Sequence, residues 1–183
     1  MSRACVLVAW LSILTATGLI WAPRSASAQT AQQRDAIRER VRAALAVSGP
    51  KIGVQFQQST KEPYNFIGSK KTNLKNDESL EIIVSVSKSN TVAFRIYPHY
   101  KGGYINLDHV QDRANFARQL LYLSDQNFLF WGVDGSNDTF CGFTFTLESG
   151  FPDAAFDIVV RSIPNTDRFV GQLRRYIDGS SAL

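Results

Sequence analysis

Phe128-Leu129-Phe130-Trp131-Gly132-Val133, followed by Asp134-Gly135-Ser136-Asn137-Asp138 and then Thr139-Phe140-Cys141-Gly142-Phe143-Thr144-Phe145-Thr146-Leu147, is the stretch that decides the fold. Two apolar runs on either side of five turn-forming residues read as a β-hairpin. In the second run Thr144 and Thr146 fall on the face opposite Cys141, Phe143, Phe145 and Leu147, so that strand has one face for a core. The first run is apolar on both faces, which predicts a strand inside a sheet, covered on both sides or near an interface. Asp134 to Asp138 is rich in oxygen ligands, but it lacks the twelve-residue spacing and closing glutamate of a helix-loop-helix calcium site, and a turn accounts for it.

Moving toward the C-terminus, Glu148-Ser149-Gly150 ends the hairpin and Pro152 with Asp153 suits the first turn of a helix. Phe156, Val159, Val160 and Ile163 form its apolar face. Pro164 should interrupt it, and Asn165-Thr166-Asp167 can cap the continuation that carries Phe169, Val170, Leu173, Tyr176 and Ile177. Moving the other way, Asp108 with Gln111 three residues later marks a helix from about His109 to Ser124, with Phe116, Ala117, Leu120, Leu121 and Leu123 as its apolar face.

Further upstream, Leu80, Ile82, Val84, Val86 and then Val92, Phe94, Ile96 alternate on either side of Ser87-Lys88-Ser89-Asn90, a second hairpin with one buried face. Ile52 to Phe56 and Tyr64 to Ile67 give weaker strand signals. Gly68 to Ser79, with Lys70, Lys71 and Lys75, reads as an exposed loop. Gln32 to Val47 places Ile37, Val41, Ala44 and Leu45 on one helical face, closed by Ser48-Gly49-Pro50. Arg34, Arg38 and Arg42 run beside that face, read as a solvated flank whose stems cover apolar surface. The order is helix, antiparallel strands, helix, two-strand hairpin, long helix, which is an α+β fold with an antiparallel sheet packed against helices.

The first 28 residues read as a secretory signal: Arg3, an apolar stretch from Cys5 to Trp21, and Ala26-Ser27-Ala28 as the cleavage pattern. That stretch is too short, and wrongly flanked, for a membrane-spanning helix, so no transmembrane segment is expected after cleavage. The expected location is periplasmic or secreted. Residues 29–183 are then a single domain. Loss of Arg3 and Arg24 lowers the net charge from +4 to +2. A nearly neutral domain gives no electrostatic reason to bind nucleic acid. Cys141 is the only cysteine left, facing the core and unable to form an internal disulfide.

Tyr97-Pro98-His99-Tyr100-Lys101-Gly102-Gly103-Tyr104 is the most unusual segment. Pro98 and the glycine pair argue against a regular strand throughout it, with a short strand resuming through Ile105 and Leu107. Tyr97, His99, Tyr100, Lys101 and Tyr104 are the candidate binding surface, because tyrosine presents wide amphipathic area and His99 and Lys101 add polar contacts. By alternation Tyr97 lies opposite Phe94 and Ile96. The mature chain has two histidines, His99 and His109, and no HExxH, CxxC or GxSxG. No catalytic residue, metal ligand or cofactor is therefore expected.

Phe116 to Ile177, with the leucine-rich helix, the strands around Phe130-Trp131 and Phe143-Thr144-Phe145, then Glu148-Ser149-Gly150-Phe151-Pro152 and the helix containing Asp167-Arg168-Phe169, resembles YbjN-domain proteins. These share the fold of type III secretion chaperones. The resemblance implies a non-enzymatic domain that recognises other proteins or peptides, often as a homodimer. With the export signal, this predicts a chaperone-like interaction module of the cell envelope. The aromatic load of Phe128, Phe130, Trp131, Phe140, Phe143 and Phe145 supports an alternative, a periplasmic carrier of a small apolar ligand.

Overall fold

The computed structural model describes residues 30–179. Residues 1–28, read from the sequence as a secretory signal, lie outside them. Helix α1 (Ala31–Ser48) is followed by a 3-10 turn, Gly49–Ile52. Strands β1 (Phe56–Gln58), β2 (Asn65–Lys70), β3 (Ser79–Val86), β4 (Thr91–Tyr100) and β5 (Gly103–Tyr104) come next. Helix α2 (Arg113–Gln126) leads to β6 (Phe130–Val133) and β7 (Thr139–Thr146), then α3 (Asp153–Ser162) and α4 (Asn165–Ile177). The strands form one antiparallel sheet in the order β1-β2-β3-β4-β7-β6, with β5 paired to β4. This is the α+β arrangement expected from the order of elements. Among the described residues no helix is long and apolar enough to cross a membrane.

The central hairpin fixes the core. Leu80, Ile82, Val84 and Val86 pair through Pro98, Ile96, Phe94 and Val92, and the apolar side chains of both strands are fully buried under the helices. Each such burial is worth about 1.5–3 kcal/mol, so this stripe alone commits one face of the sheet to the helices. Val41 and Leu45 of α1, Phe116, Leu120 and Leu123 of α2, and Phe156, Val160, Val170 and Leu173 of α3 and α4 close over it. The other face of the sheet is left without a helical layer.

Several expectations are corrected. Ile52 lies in the 3-10 turn, not in a strand, because Pro50 starts that turn and Gly53, in the left-handed region, ends it. The segment after Gly68 is not simply exposed: β2 runs to Lys70, which is buried, and Asp77 is buried too. Its loop is held by Asp167, whose carboxylate accepts from the amides of Lys75, Asn76 and Asp77 at 2.7–3.0 Å. Asp167 thus pins a loop and does not cap α4, which begins after Pro164 without a side-chain cap.

Helix α2 starts at Arg113 with Asp112 as its cap, while Asp108 and Leu107 sit in a 3-10 turn, Leu107–His109. Ala117 and Leu121 face solvent, Leu121 with 71% of its surface exposed. Strand β6 is an edge of the sheet, not an interior strand. The Arg34, Arg38 and Arg42 stripe is engaged with the fold: Arg34 lies 3.4 Å over the Tyr64 ring and donates to the Val86 carbonyl, Arg38 pairs with Asp35, and Arg42 with Gln58.

Candidate functional site: an aromatic face on the open side of the sheet

Strand β4 does not stop at Pro98. The β4–β7 ladder ends at Ile96 opposite Cys141, so the donor that proline lacks falls past the last β7 partner, while pairing with β3 continues to His99. The chain then turns through Lys101 (φ 55°) and Gly102 (φ 86°), two successive left-handed residues of the kind a tight two-residue hairpin requires. Tyr104 returns opposite His99.

Period-two alternation now divides the candidate residues between two faces. Tyr97, His99 and Tyr104 gather on the open face. The Tyr97 ring lies 5.7 Å from both Tyr104 and Phe140, and the Tyr104 ring lies 4.4 Å from His99. Phe130 meets Phe140 edge-on at 5.8 Å, and the Arg95 guanidinium sits 4.7 Å over Phe140. These spacings are those of favourable offset and edge contacts, and of a cation over a ring. The cluster therefore spans β4, β5, β6 and β7 as one continuous surface.

The hydroxyls at its margin are anchored. Tyr97 donates to Asp134 at 3.2 Å and Tyr104 donates to Glu81 at 3.0 Å. Burial, reinforced by the Glu81 hydrogen bond, pushes the Tyr104 hydroxyl up to about 12. Burial also raises Tyr97, so both remain neutral donors at physiological pH. Tyr97 is on the face that alternation assigned to it, yet it is covered by its neighbours. The accessible members are Tyr104 and Phe130, 40% and 41% exposed, with Arg95 between them and Ile67 toward the β1 edge.

Tyr100 and Lys101 belong elsewhere. Tyr100 donates to Asp178 at 2.8 Å, Lys101 pairs with the same carboxylate at 2.8 Å, and the Arg174 guanidinium lies 4.8 Å over the Tyr100 ring. They tie the β4–β5 hairpin to the end of α4. An open cleft of about 470 Å³ lies beside this tie, lined by Tyr100, Lys101, Tyr104, Asn106, His109 and Asp178. Tyr104 touches both the cleft and the aromatic face.

Sequence reasoning did not place Arg95, Phe130 or Phe140 in the site. Arg95 shares the parity of Tyr97 and so was available from alternation, whereas Phe130 and Phe140 are joined to it only by the β4–β7–β6 pairing.

His99 meets Tyr104 edge-on and His109 lines the cleft. Cys141 is fully buried, and burial pushes its thiol up to about 12. Asp134 Oδ1 is taken by the amides of Ser136 and Asp138 within its own turn. Among the described residues, no three His, Cys, Asp or Glu side chains are grouped so as to hold a metal ion. Comparison with protein-family models, with curated proteins and with solved structures finds no match to the chain.

Proposed function

We propose that this chain is an exported, non-catalytic interaction module of the cell envelope that binds an extended polypeptide along the β6 edge and across the aromatic face. The observation that carries this reading is the uncovered sheet face ending in an edge strand without a charged residue. Exposed sheet edges are ordinarily blunted by lysine, proline or a covering element. Phe128 to Val133 carries none of the first two, and its flanking Phe128, Phe130 and Val133 are solvent-exposed. The Trp131 amide is already taken by Ser124 Oγ of α2 at 2.8 Å, so a strand added there would use the remaining outward main-chain groups of β6, with side-chain contacts from the exposed Phe130 and, across the face, Tyr104.

On this reading residues 1–28 are removed on export, the domain works in the periplasm or outside the cell, and it stands with the YbjN-like, secretion-chaperone-like domains. The carrier alternative has less support. Phe143 lies 4.9 Å from Phe145, and Phe94 packs against Phe145 and Phe156 at 6.1 and 5.1 Å, so these rings fill one another's space.

Crosslinking in the native host followed by mass spectrometry tests the proposal. The wild-type chain should yield a protein adduct above an unrelated exported control, and Phe130→Asp should lose it. An adduct that persists in Phe130→Asp, or none above the control, contradicts the proposal. Native mass spectrometry of the purified chain should give the bare mass, and a retained small molecule would favour the carrier.

A further inference from the structure

On the helix side of the sheet, away from the aromatic face, a polar cavity of about 460 Å³ opens where the 3-10 turn after α1, the end of β2 and the α3–α4 corner meet. Lys51, Lys70, Thr72, Asn73 and Arg161 line it. Lys70 is the last residue of β2, and strand alternation turns it inward with Phe66 and Gly68, leaving 5% of it exposed. A buried ammonium is costly unless it is paired. Its one hydrogen bond among the described residues runs to the Ile52 carbonyl at 2.9 Å, and no carboxylate there pairs with it. Two of its three donors are therefore unspent.

Gly53 shows where they are directed. A Cβ built on Gly53 would come 3.9 Å from Lys70 Nζ and 3.9 Å from Thr72 Oγ1, so the ammonium and the hydroxyl flank the same small space. Gly53 has φ +71°, which disfavours a side chain that would fill it. The nearby acid is already committed. Asp157 accepts from Ser48 at 2.7 Å and from Lys51 at 3.0 Å, and its other oxygen forms an ion pair with Arg161 Nε at 2.9 Å. Those contacts leave the terminal nitrogens of Arg161 without a partner among the described residues. Three cations against one carboxylate leave the cavity with a surplus of two positive charges, two of them carried by side chains with unspent donors.

We propose that this cavity binds a phosphate group, with Lys70 holding its oxygens from within and the exposed Thr72 and Arg161 closing from the rim, Arg161 as a planar donor pair. The free ion and a phospholipid headgroup present the same recognition chemistry. The site is independent of the aromatic face and stands or falls without it.

The test uses the full chain purified without phosphate. Inorganic phosphate, at ionic strength held constant with chloride, should raise the melting temperature of the wild type through preferential binding to the folded state. Arg161→Gln, a change at an exposed rim position, should weaken phosphate binding about tenfold, and Lys70→Met should abolish it. In a second arm, vesicles of phosphatidylglycerol and phosphatidylcholine should retain the wild type more than Arg161→Gln if a headgroup is the source. A thermal response to phosphate that weakens in Arg161→Gln supports the site, and an Arg161-dependent vesicle response identifies a headgroup as the source. A response unchanged in Arg161→Gln, or no response in either arm, overturns it, whether or not Lys70→Met folds.

Discussion

Two aspartates facing each other across the β2–β3 loop and α4 titrate in opposite directions. Burial raises Asp167, but the amides of Asn76, Asp77 and Lys75 outweigh it and hold the carboxylate below its usual range. Its contribution is present above the unfolded value near 4 and is lost as pH falls through the folded one. Asp167→Ala leaves three amides without their acceptor and should cost on the order of 3 kcal/mol in urea denaturation. Asp77 behaves inversely: burial, with the Asp167 charge adding and Arg174 opposing, pushes it up to about 8. Both its carboxylate oxygens lack a hydrogen-bond partner among the described residues. The folded chain keeps a proton that the unfolded chain releases near pH 4, so this group makes stability fall between about pH 4 and pH 8. Asp77→Asn should remove a slope of up to about 1.4 kcal/mol per pH unit over that window, and an unchanged profile contradicts the assignment. Cys141, with its thiol raised by burial, should resist alkylation until the chain unfolds.

The elements differ in how plainly their residues announce them. The β3–β4 and β6–β7 hairpins and the helical faces of α1, α3 and α4 follow from alternation and from three-to-four spacing, because one-sided burial imprints itself on every second or every third and fourth residue. What alternation does not carry is strand order. Nothing within Phe128 to Val133 distinguishes an edge from an interior strand, since both of its faces are apolar. Pro98 reads as a break because the ladder it spares, on the β7 side, is long-range. The sequence reading put the cap of α2 at Asp108, four residues before the aspartate that fills it. Asp112 accepts from the Asn115 amide while Asp108 lies in the preceding turn. Asp112→Ala should therefore cost about 1 kcal/mol and Asp108→Ala much less, and equal losses in thermal denaturation would return the helix start to Asp108. The candidate surface was half legible. Tyr97, His99 and Tyr104 come together, but Tyr100 and Lys101 belong to the tie with Asp178, because one step along a strand reverses the face.

As a whole the molecule is a two-layer arrangement, helices on one face of a seven-stranded sheet and none on the other. Its apolar side chains are not confined to the covered layer. Phe130, Tyr104 and Ile67 on the open face, and Val133 on the edge strand, remain substantially exposed. The proposed phosphate and polypeptide sites lie on opposite faces of the sheet and need not compete. The aromatic face is the central claim, and site-specific photocrosslinking in the native host tests it most directly. A photoreactive residue placed at Phe130 should form a polypeptide adduct, while the same residue at Ile158, more exposed still on α3 of the helical layer, should not. Adducts from Ile158 but not from Phe130, or from neither, would contradict the account.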